Sequence, residues 1–268
     1  MQNQTKTDLK DFLWLNLCEL PYFRSVLRAV EAQFYQGLVL QEPTLDVGCG
    51  DGHFAQISFD RMIDVGLDPW YGPIHEAGTR HVYRLLTEAD GGWMPYPDAY
   101  FSSAFSNSVL EHIAEVDKVL METSRVLKPG ALFVFCVPNH RFKNTLSVTR
   151  GLEKLQLQSL ANLYQHFFTR ISRHRHMDGF EVWRERLERA GFSVEKWWDY
   201  FPPKAQAVLE WGHYLGLPSL IIHVLTRRWI LVPHRWNLGL TYRAVLPYAN
   251  ASACKDGVYT FYITRRNG

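Results

Sequence analysis

A glycine-rich loop directly after a short apolar run is the feature that most constrains this 268-residue chain. Thr44–Val47 has the composition of a strand, and Gly48, Gly50 and Gly52 follow it at alternate positions. Glycine adopts the left-handed conformations that a sharp strand-to-helix turn needs, and it lets the backbone approach a ligand. The third glycine falls one residue earlier than in the dinucleotide pattern G-x-G-x-x-G. The loop therefore predicts a strand–turn–helix unit with a ligand at its mouth and disfavours a dinucleotide.

Short apolar runs then alternate with helix-like segments along the chain. The runs predict strands at 63–67, 82–86, 100–106, 132–137, 193–200 and 257–264. Lys128-Pro129-Gly130 is predicted to stop a helix before the fifth strand, since proline lacks the donor and glycine supplies the turn. Asp178 and Glu181 have capping-box spacing for a helix that Gly191 closes. The alternation predicts an α/β fold with a doubly wound, seven-stranded, mostly parallel sheet.

The length favours one domain with insertions over two independent domains. We expect N-terminal helices within 1–40, two of them separated at Pro21 over 7–35, and a ligand-binding core over 41–140. Segments 141–177, with a helix over 152–172, and 202–255 do not fit a minimal sheet fold. If the strand at 193–200 is parallel to the others, both segments leave from carboxyl ends, and we expect them to form helical lids.

Polar residues follow several of the predicted strands directly, where parallel α/β sheets bind their ligands. Asp46 lies inside the first strand end, so its carboxylate would pair with a ligand ammonium group and repel a phosphate. That points away from NAD and ATP. Asp68 follows the second strand, 16 residues after Gly52, where an acid can take both hydroxyls of a ribose. The alternative for Asp68 is a strand-end cap.

Five pieces of the sequence occur in the order found in class I S-adenosylmethionine-dependent methyltransferases, which the chain resembles, particularly the small-molecule branch with the quinone-biosynthesis enzymes. The pieces are D-V-G-C-G-D-G, the acid at Asp68, D-x-x-x-x-P-Y-P-D, N-S-V-L-E-H-I and R-V-L-K-P-G-A-L-F-V. They span about residues 44–137. The resemblance is weaker over 138–201 and largely lost over 202–255.

The resemblance implies S-adenosylmethionine as cofactor and a set of contacts to it. Asp46 and the backbone of Gly48 and Gly50 would hold its methionine end. Asp68, followed by Pro69, would take the ribose hydroxyls. These five residues are predicted cofactor contacts.

Three further contacts follow from the same resemblance. Asp90 and the backbone of Gly91 would face the adenine, and Asn107 would line the wall near the sulfonium. For Asp90 the alternative is an ordinary turn former.

Methyl transfer demands little of the protein beyond placement, because the sulfonium already activates the methyl group. A base helps only where the acceptor must lose a proton. The candidates are His112, His140 and His176. Each has an alternative: His112 braces its loop, His140 is a surface residue, and His176 packs against Trp183.

The charge is unevenly distributed along the chain. Residues 1–140 carry 10 Lys+Arg and 18 Asp+Glu, whereas residues 141–268 carry 19 and 9. The basic second half suggests an anionic partner such as a phosphate, a carboxylate or a membrane surface. An ordinary solvated surface explains the imbalance equally well. The acidic core half and the lack of a basic arm disfavour nucleic acid.

The four cysteines are scattered without metal-ligand or disulfide spacing, so we expect no metal and a reducing, cytoplasmic setting. The N-terminus is unlike a signal peptide. The apolar stretch 217–232 is shorter than a membrane span. It is either a buried lid helix, on the sheet or across a dimer, or, with Arg227, Arg228 and Trp229, an interfacial helix on an anionic membrane. The second reading makes the protein peripheral to the membrane.

Three functions remain open. The first is methyl transfer to oxygen or carbon of a small, hydrophobic or anionic molecule, including a lipid-linked one at a membrane. The second is a catalytically silent relative that acts as an interaction protein, although all of the loop residues are present. The third is another enzyme on the same core, such as an aminopropyltransferase or a nucleotide-dependent oxidoreductase, against which Asp46 and the early third glycine argue.

Overall fold

The computed structural model describes residues 10–268, in which one seven-stranded sheet has the order β3-β2-β1-β4-β5-β7-β6. Strands β1 to β5 pair in parallel. Strand β7 is antiparallel to both of its neighbours, so β6 runs in the same direction as β1 to β5. The mostly parallel sheet of the prediction is confirmed. The strands are β1 Thr44–Val47, β2 Ile63–Asp68, β3 Tyr83–Glu88, β4 Phe101–Asn107, β5 Leu127–Pro138, β6 Phe192–Tyr200 and β7 Tyr259–Arg266.

Helices cover both faces of the sheet, and each face has its own hydrophobic core. Helices α1, α2, α3, α4, α7, α9 and α11 contribute to one core, and α5 and α8 to the other. The helices are α1 Phe12–Leu17, α2 Tyr22–Tyr35, α3 His53–Ser58, α4 Tyr71–Arg80, α5 Val116–Val126, α6 Ser147–Lys154, α7 Gln158–Ser172, α8 Phe180–Arg189, α9 Pro203–Leu215, α10 Leu217–Thr226 and α11 Arg235–Val245, with 3₁₀ turns at Leu110–His112 and Leu246–Tyr248. The two cores make the fold doubly wound, as predicted. Residues 1–9 of the predicted N-terminal region lie outside the described part.

Two local predictions are wrong. The segment 152–172 is two helices, because the chain turns at Gln156, which has a φ of 59°. The expected capping box before α8 is absent: Gly179 is the N-cap and no side chain caps the helix. The carboxylate of Asp178 instead lies 3.4 Å from Arg186, so an ion pair replaces the cap.

Strand β5 begins earlier than expected. It starts at Leu127, and its register with β4 shifts between the pairs Phe101–Leu127 and Ser103–Leu132. Lys128-Pro129-Gly130 therefore forms an exposed bulge in the strand, although α5 does end directly before it, at Val126.

Helices α6 and α7 follow the carboxyl end of β5, and α9 to α11 follow that of β6. Because β5 and β6 run in the same direction, both insertions leave from the edge of the sheet that carries the glycine loop. The division of the chain into a core and two lids stays a prediction. Helix α10 does not pack on the sheet: its described side chains are half-buried or exposed, which contradicts that form of the buried-helix alternative. Among helices of residues 10–268, none has both the length and the apolar character to cross a bilayer.

We predict that Gly212→Ala destabilises the protein, because a Cβ at Gly212 of α9 would lie 2.2 Å from the Cβ of Phe23 on α2. Overpacking of this kind costs about 1–3 kcal/mol, which exceeds the roughly 1 kcal/mol that alanine gains over glycine in a helix. Gly239→Ala on α11 is the matched control, since a Cβ there meets nothing within 4 Å and should stabilise. Urea unfolding measures the free energy of unfolding of both variants relative to the wild type. If both substitutions changed it in the same direction, the packing argument would be contradicted.

Candidate active site

The turn after β1 depends on three glycines with positive φ: Gly48 at 80°, Gly50 at 54° and Gly52 at 76°. A Cβ at Gly48 would lie 2.3 Å from a methyl group of Val109, so this position has no room for a side chain. A Cβ at Gly50 would meet nothing within 4 Å. Side chains other than glycine are strained at such angles. The loop thus brings its backbone beside the end of β4 and leaves open space over Gly50.

Asp46 is buried at the end of β1, where its Oδ2 accepts a 2.6 Å hydrogen bond from the hydroxyl of Tyr83. Burial raises the pKa of this carboxyl to about 7. The Tyr83 hydrogen bond lowers the pKa and the carboxylate of Asp68 raises it, both to a smaller extent. A carboxylate in this environment favours a cationic partner.

Asp68 lies at the end of the neighbouring strand β2, and both of its oxygens accept backbone hydrogen bonds. The N–H of Gly50 donates to Oδ2 and the N–H of Trp70 to Oδ1, each at 3.0 Å. Burial raises the pKa of Asp68, against these two bonds. Asp68 is therefore a strand-end cap that fixes the glycine loop. Each carboxylate oxygen has a second lone pair, so the cap leaves acceptor capacity for a ligand.

A cavity of about 1210 Å³ lies over this edge of the sheet; we call it the large cavity. Of the predicted cofactor contacts, five line it: Asp46, Gly48, Gly50, Asp68 and Asn107.

The other three predicted contacts do not line the large cavity: Pro69, Asp90 and Gly91. Pro69 is exposed. Asp90 is exposed and accepts a 2.7 Å hydrogen bond from the N–H of Gly92, which is the geometry of a turn former. The roles of all eight residues stay predictions.

Of the three candidate bases, only His112 lines the large cavity. Its Nδ1 lies 3.0 Å from the carbonyl oxygen of Arg173, so Nδ1 carries the proton and Nε2 is the nitrogen able to accept one. Burial lowers the pKa of His112, and the charges of Arg28 and Arg173 lower it further, against the hydrogen bond to Arg173, which raises it. His112 is therefore a neutral imidazole near pH 7.

The remaining two histidines lie away from the cavity. His140 is exposed, beside Gly179. His176 uses both ring nitrogens inside the fold: Nε2 lies 2.9 Å from the carbonyl oxygen of Ile113, and Nδ1 lies 3.1 Å from Arg186. A ring held in this way braces the loop between α7 and α8.

Sequence reasoning missed a buried carboxylate, Glu31 of α2, beneath the large cavity. It accepts hydrogen bonds from Arg28 at 2.7 Å, Asn107 at 2.6 Å, Ser108 at 2.8 Å and Tyr200 at 3.0 Å. A signal was present, because Glu31 falls on the same helical stripe as the apolar Leu27, Val30 and Phe34. An acid on a core stripe needs buried partners.

One further grouping was also missed. Glu111, His112 and His174 have ligand atoms within 4.8 Å of one another, close enough for one metal ion to bridge. Burial raises the pKa of Glu111 to about 8 and lowers that of His174 to about 3. Because His174 is 62 residues from His112, no local sequence pattern indicates this grouping.

Most of the segment from Arg227 to Pro233 lines the large cavity. It belongs to the segment 202–255 that the sequence predicts to be a lid, and the lid role stays a prediction.

Comparison with known proteins shows that part of the chain, including the glycine loop, is similar to methyltransferases. Residues 45–135 match the family described as "Methyltransferase domain". A ubiquinone biosynthesis O-methyltransferase of Vibrio atlanticus is 32% identical over 119 residues, which are 41% of this chain and 49% of the relative. A probable S-adenosylmethionine-dependent methyltransferase of Mycolicibacterium smegmatis is 29% identical over 171 residues, 63% of this chain and 59% of the relative. The chain thus spans about a third to three fifths of the length of such curated relatives.

Solved structures share the fold at low sequence identity. The [4+2]-cyclase SpnF has a TM-score of 0.56 at 20% identity, covering 91% of this chain and 82% of its own. A Haemonchus contortus N-methyltransferase in complex with S-adenosylhomocysteine has a TM-score of 0.53 at 17% identity, covering 98% of this chain and 59% of its own. At these identities the similarity establishes the fold alone.

We predict that the penalty for ionising buried Asp46 can be measured. Its folded-state pKa of about 7 lies above the ordinary value of 3.8. Between these two pKa values the folded chain holds a proton that the unfolded chain has released. Its contribution to the free energy of unfolding is therefore fully present below about pH 4 and is lost as the pH rises to 7. Relative to the wild type, Asp46→Asn should gain roughly 3 kcal/mol of unfolding free energy between pH 5 and pH 8.

Urea unfolding at both pH values measures this gain. Tyr83→Phe is the companion variant. Without the hydroxyl the pKa of Asp46 rises further, so the free energy of unfolding of this variant should continue to fall above pH 7. A difference between Asp46→Asn and wild type that stayed constant with pH would show that the carboxylate is not penalised by burial.

Proposed function

Because the chain carries an S-adenosylmethionine-dependent methyltransferase domain, we propose that it transfers a methyl group from that cofactor to oxygen or carbon of a small molecule. One observation supports this proposal most directly. Two buried carboxylates, Asp46 and Asp68, stand at adjacent strand ends around an open glycine loop and line one cavity.

The residues present fit the cofactor. S-adenosylmethionine supplies an activated methyl group on a sulfonium, and it also carries an ammonium and a ribose diol. Asp46 offers a desolvated carboxylate to the ammonium, and Asp68 offers acceptor lone pairs to the diol. The open space over Gly50 leaves room for the bound ligand, which a side chain at that position would reduce.

The chain itself contributes to the rate by holding the two reactants in position. Holding two reactants in line can supply about 7–11 kcal/mol of the barrier. Asn107 is fixed for this purpose by the Glu31 network at the cavity wall. His112 presents an unprotonated Nε2 at the cavity, where a base would add about 10²–10⁴ in rate for an acceptor that must lose a proton.

Oxygen or carbon is favoured as the acceptor atom because Ser106-Asn107-Ser108-Val109 stands where methyltransferases of base or amide nitrogen have N-P-P-Y. A catalytically silent relative is disfavoured, since the loop glycines and both acids are in place. The [4+2]-cyclase SpnF, which shares the fold, is a reminder that fold alone does not determine the chemistry.

Calorimetric titration with S-adenosylmethionine and S-adenosylhomocysteine tests the proposal. We expect micromolar binding by the wild type and at least about tenfold weaker binding by Asp68→Ala, since each hydrogen bond to a charged group contributes about 1.5–3 kcal/mol. Asp64→Ala is the matched control: Asp64 also lies on β2 and also accepts a backbone N–H, that of Thr44, but it is away from the cavity.

Two outcomes would overturn parts of this reading. If folded wild-type protein bound neither ligand, the methyltransferase proposal would fail. If Asp68→Ala bound as tightly as the wild type, the ribose contact would be wrong while the cofactor stood.

A second candidate is that the acceptor is lipid-linked and reached at a membrane. Helix α10 exposes Ile221, Val224 and Leu225, with 61%, 65% and 77% of their surface accessible. Arg227 and Arg228 follow directly and line the large cavity. Exposed apolar residues beside arginines suit the interface of an anionic bilayer.

Vesicle sedimentation tests this candidate. We expect the wild type to sediment with phosphatidylglycerol vesicles more than with phosphatidylcholine vesicles, and Leu225→Glu to lose most of that binding. Met121→Glu, an exposed apolar residue on α5, should change nothing. Wild-type protein that stayed in the supernatant with both lipids would exclude the membrane candidate.

A further inference from the structure

A second cavity, of about 590 Å³, lies beside the large one and is built mainly by the first insertion; we call it the basic cavity. Its lining residues are His112, Lys143, Gln165, His166, Thr169, Arg170, Arg173, His174 and Arg175. Four of the nine are lysine or arginine and three are histidine. Within residues 10–268, no aspartate or glutamate lines it.

The four cations of the basic cavity have no carboxylate partner in the described chain. Neither Lys143 nor Arg170, Arg173 nor Arg175 lies within 4.0 Å of an acidic oxygen of residues 10–268. Some other arginines are paired, for example Arg141 with Asp199 at 2.6 Å, and others, such as Arg189, have no carboxylate within 4.0 Å among residues 10–268. What distinguishes these four cations is that they line one cavity. Like charges that converge without counterions raise the local potential, and that potential attracts an anion.

The end of α7 places one of the four cations next to His112. Arg173 occupies the left-handed conformation there, with a φ of 57°. This conformation favours glycine, and an arginine bears of the order of 1 kcal/mol of strain in it. The conformation points the Arg173 carbonyl at His112 and leaves the side chain at the cavity.

Helix-dipole stabilisation explains only part of this arrangement. Arg170 lies in the last turn of α7, where a cation complements the negative end of the helix. Lys143 precedes α6 and Arg175 follows α7, so neither belongs to a helix end that it would stabilise. Helix ends therefore do not explain why these two residues converge with Arg170 and Arg173 on one cavity.

His112 connects the two cavities, because it lines both of them. A molecule that placed one end in the basic cavity would therefore pass His112 and reach the large cavity, where the methyl donor is proposed to bind. We propose that the basic cavity binds a phosphate or carboxylate group of the methyl acceptor and so orients its reacting atom past His112 toward the large cavity. This inference rests on the proposed function and specifies its substrate class as an oxyanion-bearing small molecule.

The chemistry of the lining fits an oxyanion better than another ligand. Guanidinium groups present paired N–H donors whose spacing matches carboxylate and phosphate oxygens, and a lysine adds a mobile positive charge. Gln165 and Thr169 add neutral donors. Because Arg170, Arg173 and Arg175 are exposed, the binding should be weak for an isolated group and sensitive to salt.

Titration with inorganic phosphate and with benzoate tests the proposal at constant ionic strength, set with chloride, in the presence of EDTA to exclude metal-mediated binding. We expect millimolar binding by the wild type and at least tenfold weaker binding by the double variant Lys143→Gln/Arg175→Gln, which leaves α7 unchanged. Arg150→Gln/Arg189→Gln is the matched control: it removes the same charge from exposed positions outside both cavities and should bind as the wild type does.

The same samples are titrated with S-adenosylhomocysteine, so that the two proposals fail separately. If S-adenosylhomocysteine binds and neither anion binds beyond the chloride control, the basic cavity is not an acceptor site, whereas the proposed function stands. Equal weakening in the two double variants would also overturn the assignment, since net charge alone would then explain it.

Vesicles of phosphatidylglycerol identify the source of the anion. Wild-type retention that Lys143→Gln/Arg175→Gln loses and Arg150→Gln/Arg189→Gln keeps assigns the group to a lipid headgroup. Phosphate or benzoate binding without that retention assigns it to a soluble acceptor.

Discussion

The buried carboxylate of Glu31 is the interaction on which the geometry of the site depends. It takes hydrogen bonds from its own helix through Arg28, from the end of β4 through Asn107 and Ser108, and from the end of β6 through Tyr200. Removing Arg28, the one charged partner among these four, would leave an uncompensated buried charge, which costs about 3–5 kcal/mol. The cluster therefore fixes an N-terminal helix against two strands that are far apart in sequence.

The position of the 3₁₀ turn follows from that cluster. Ser108 has a φ of 51°, an uncommon conformation for a residue with a side chain, and its hydroxyl is held by Glu31. The backbone then turns into Leu110–His112, where Val109 packs against Gly48 and His112 reaches the cavities. A carboxylate from outside the predicted core of residues 41–140 thus aligns the glycine loop with the histidine. This explains why the helix before β1 contributes to the site and is more than a cover for the sheet.

The features that could be predicted from the sequence are those that depend on residues close together in the chain. Gly48, Gly50 and Gly52 reveal a turn because only glycine is unstrained at their φ values, and apolar runs reveal the strand ends within one or two residues, except the start of β5, which lies five residues before the predicted one. The break at Gln156 was missed because Leu152, Leu155 and Leu157 leave the segment apolar enough to continue a helix.

The network around Glu31 and the grouping of Glu111, His112 and His174 were missed for a different reason. Each joins segments that only the tertiary fold brings together: Glu31 and Asn107 are 76 residues apart, and His112 and His174 are 62 residues apart. The acid on the apolar stripe of α2 was nevertheless readable, because a buried charge implies partners even when they cannot be named. Insertions have no repeating geometry, so the basic cavity could be foreseen only as an excess of charge in the second half of the chain.

The structure shows where the acidic and basic residues of the two halves of the chain lie. The acids of the first half gather at the ends of β1 and β2, where burial raises the pKa values of Asp46 and Asp68 and favours a cationic ligand. Four cations of the first insertion, which have no carboxylate partner within residues 10–268, gather around a separate cavity that shares His112 with the large one. The large cavity as a whole is lined by five acids and five arginines, so its preference for a cation is local to Asp46 and Asp68, whereas no acid of the described chain lines the basic cavity. On the proposed function, a cationic donor at the two carboxylates and an anionic acceptor group in the basic cavity would therefore not compete for one site, and His112 lies between them.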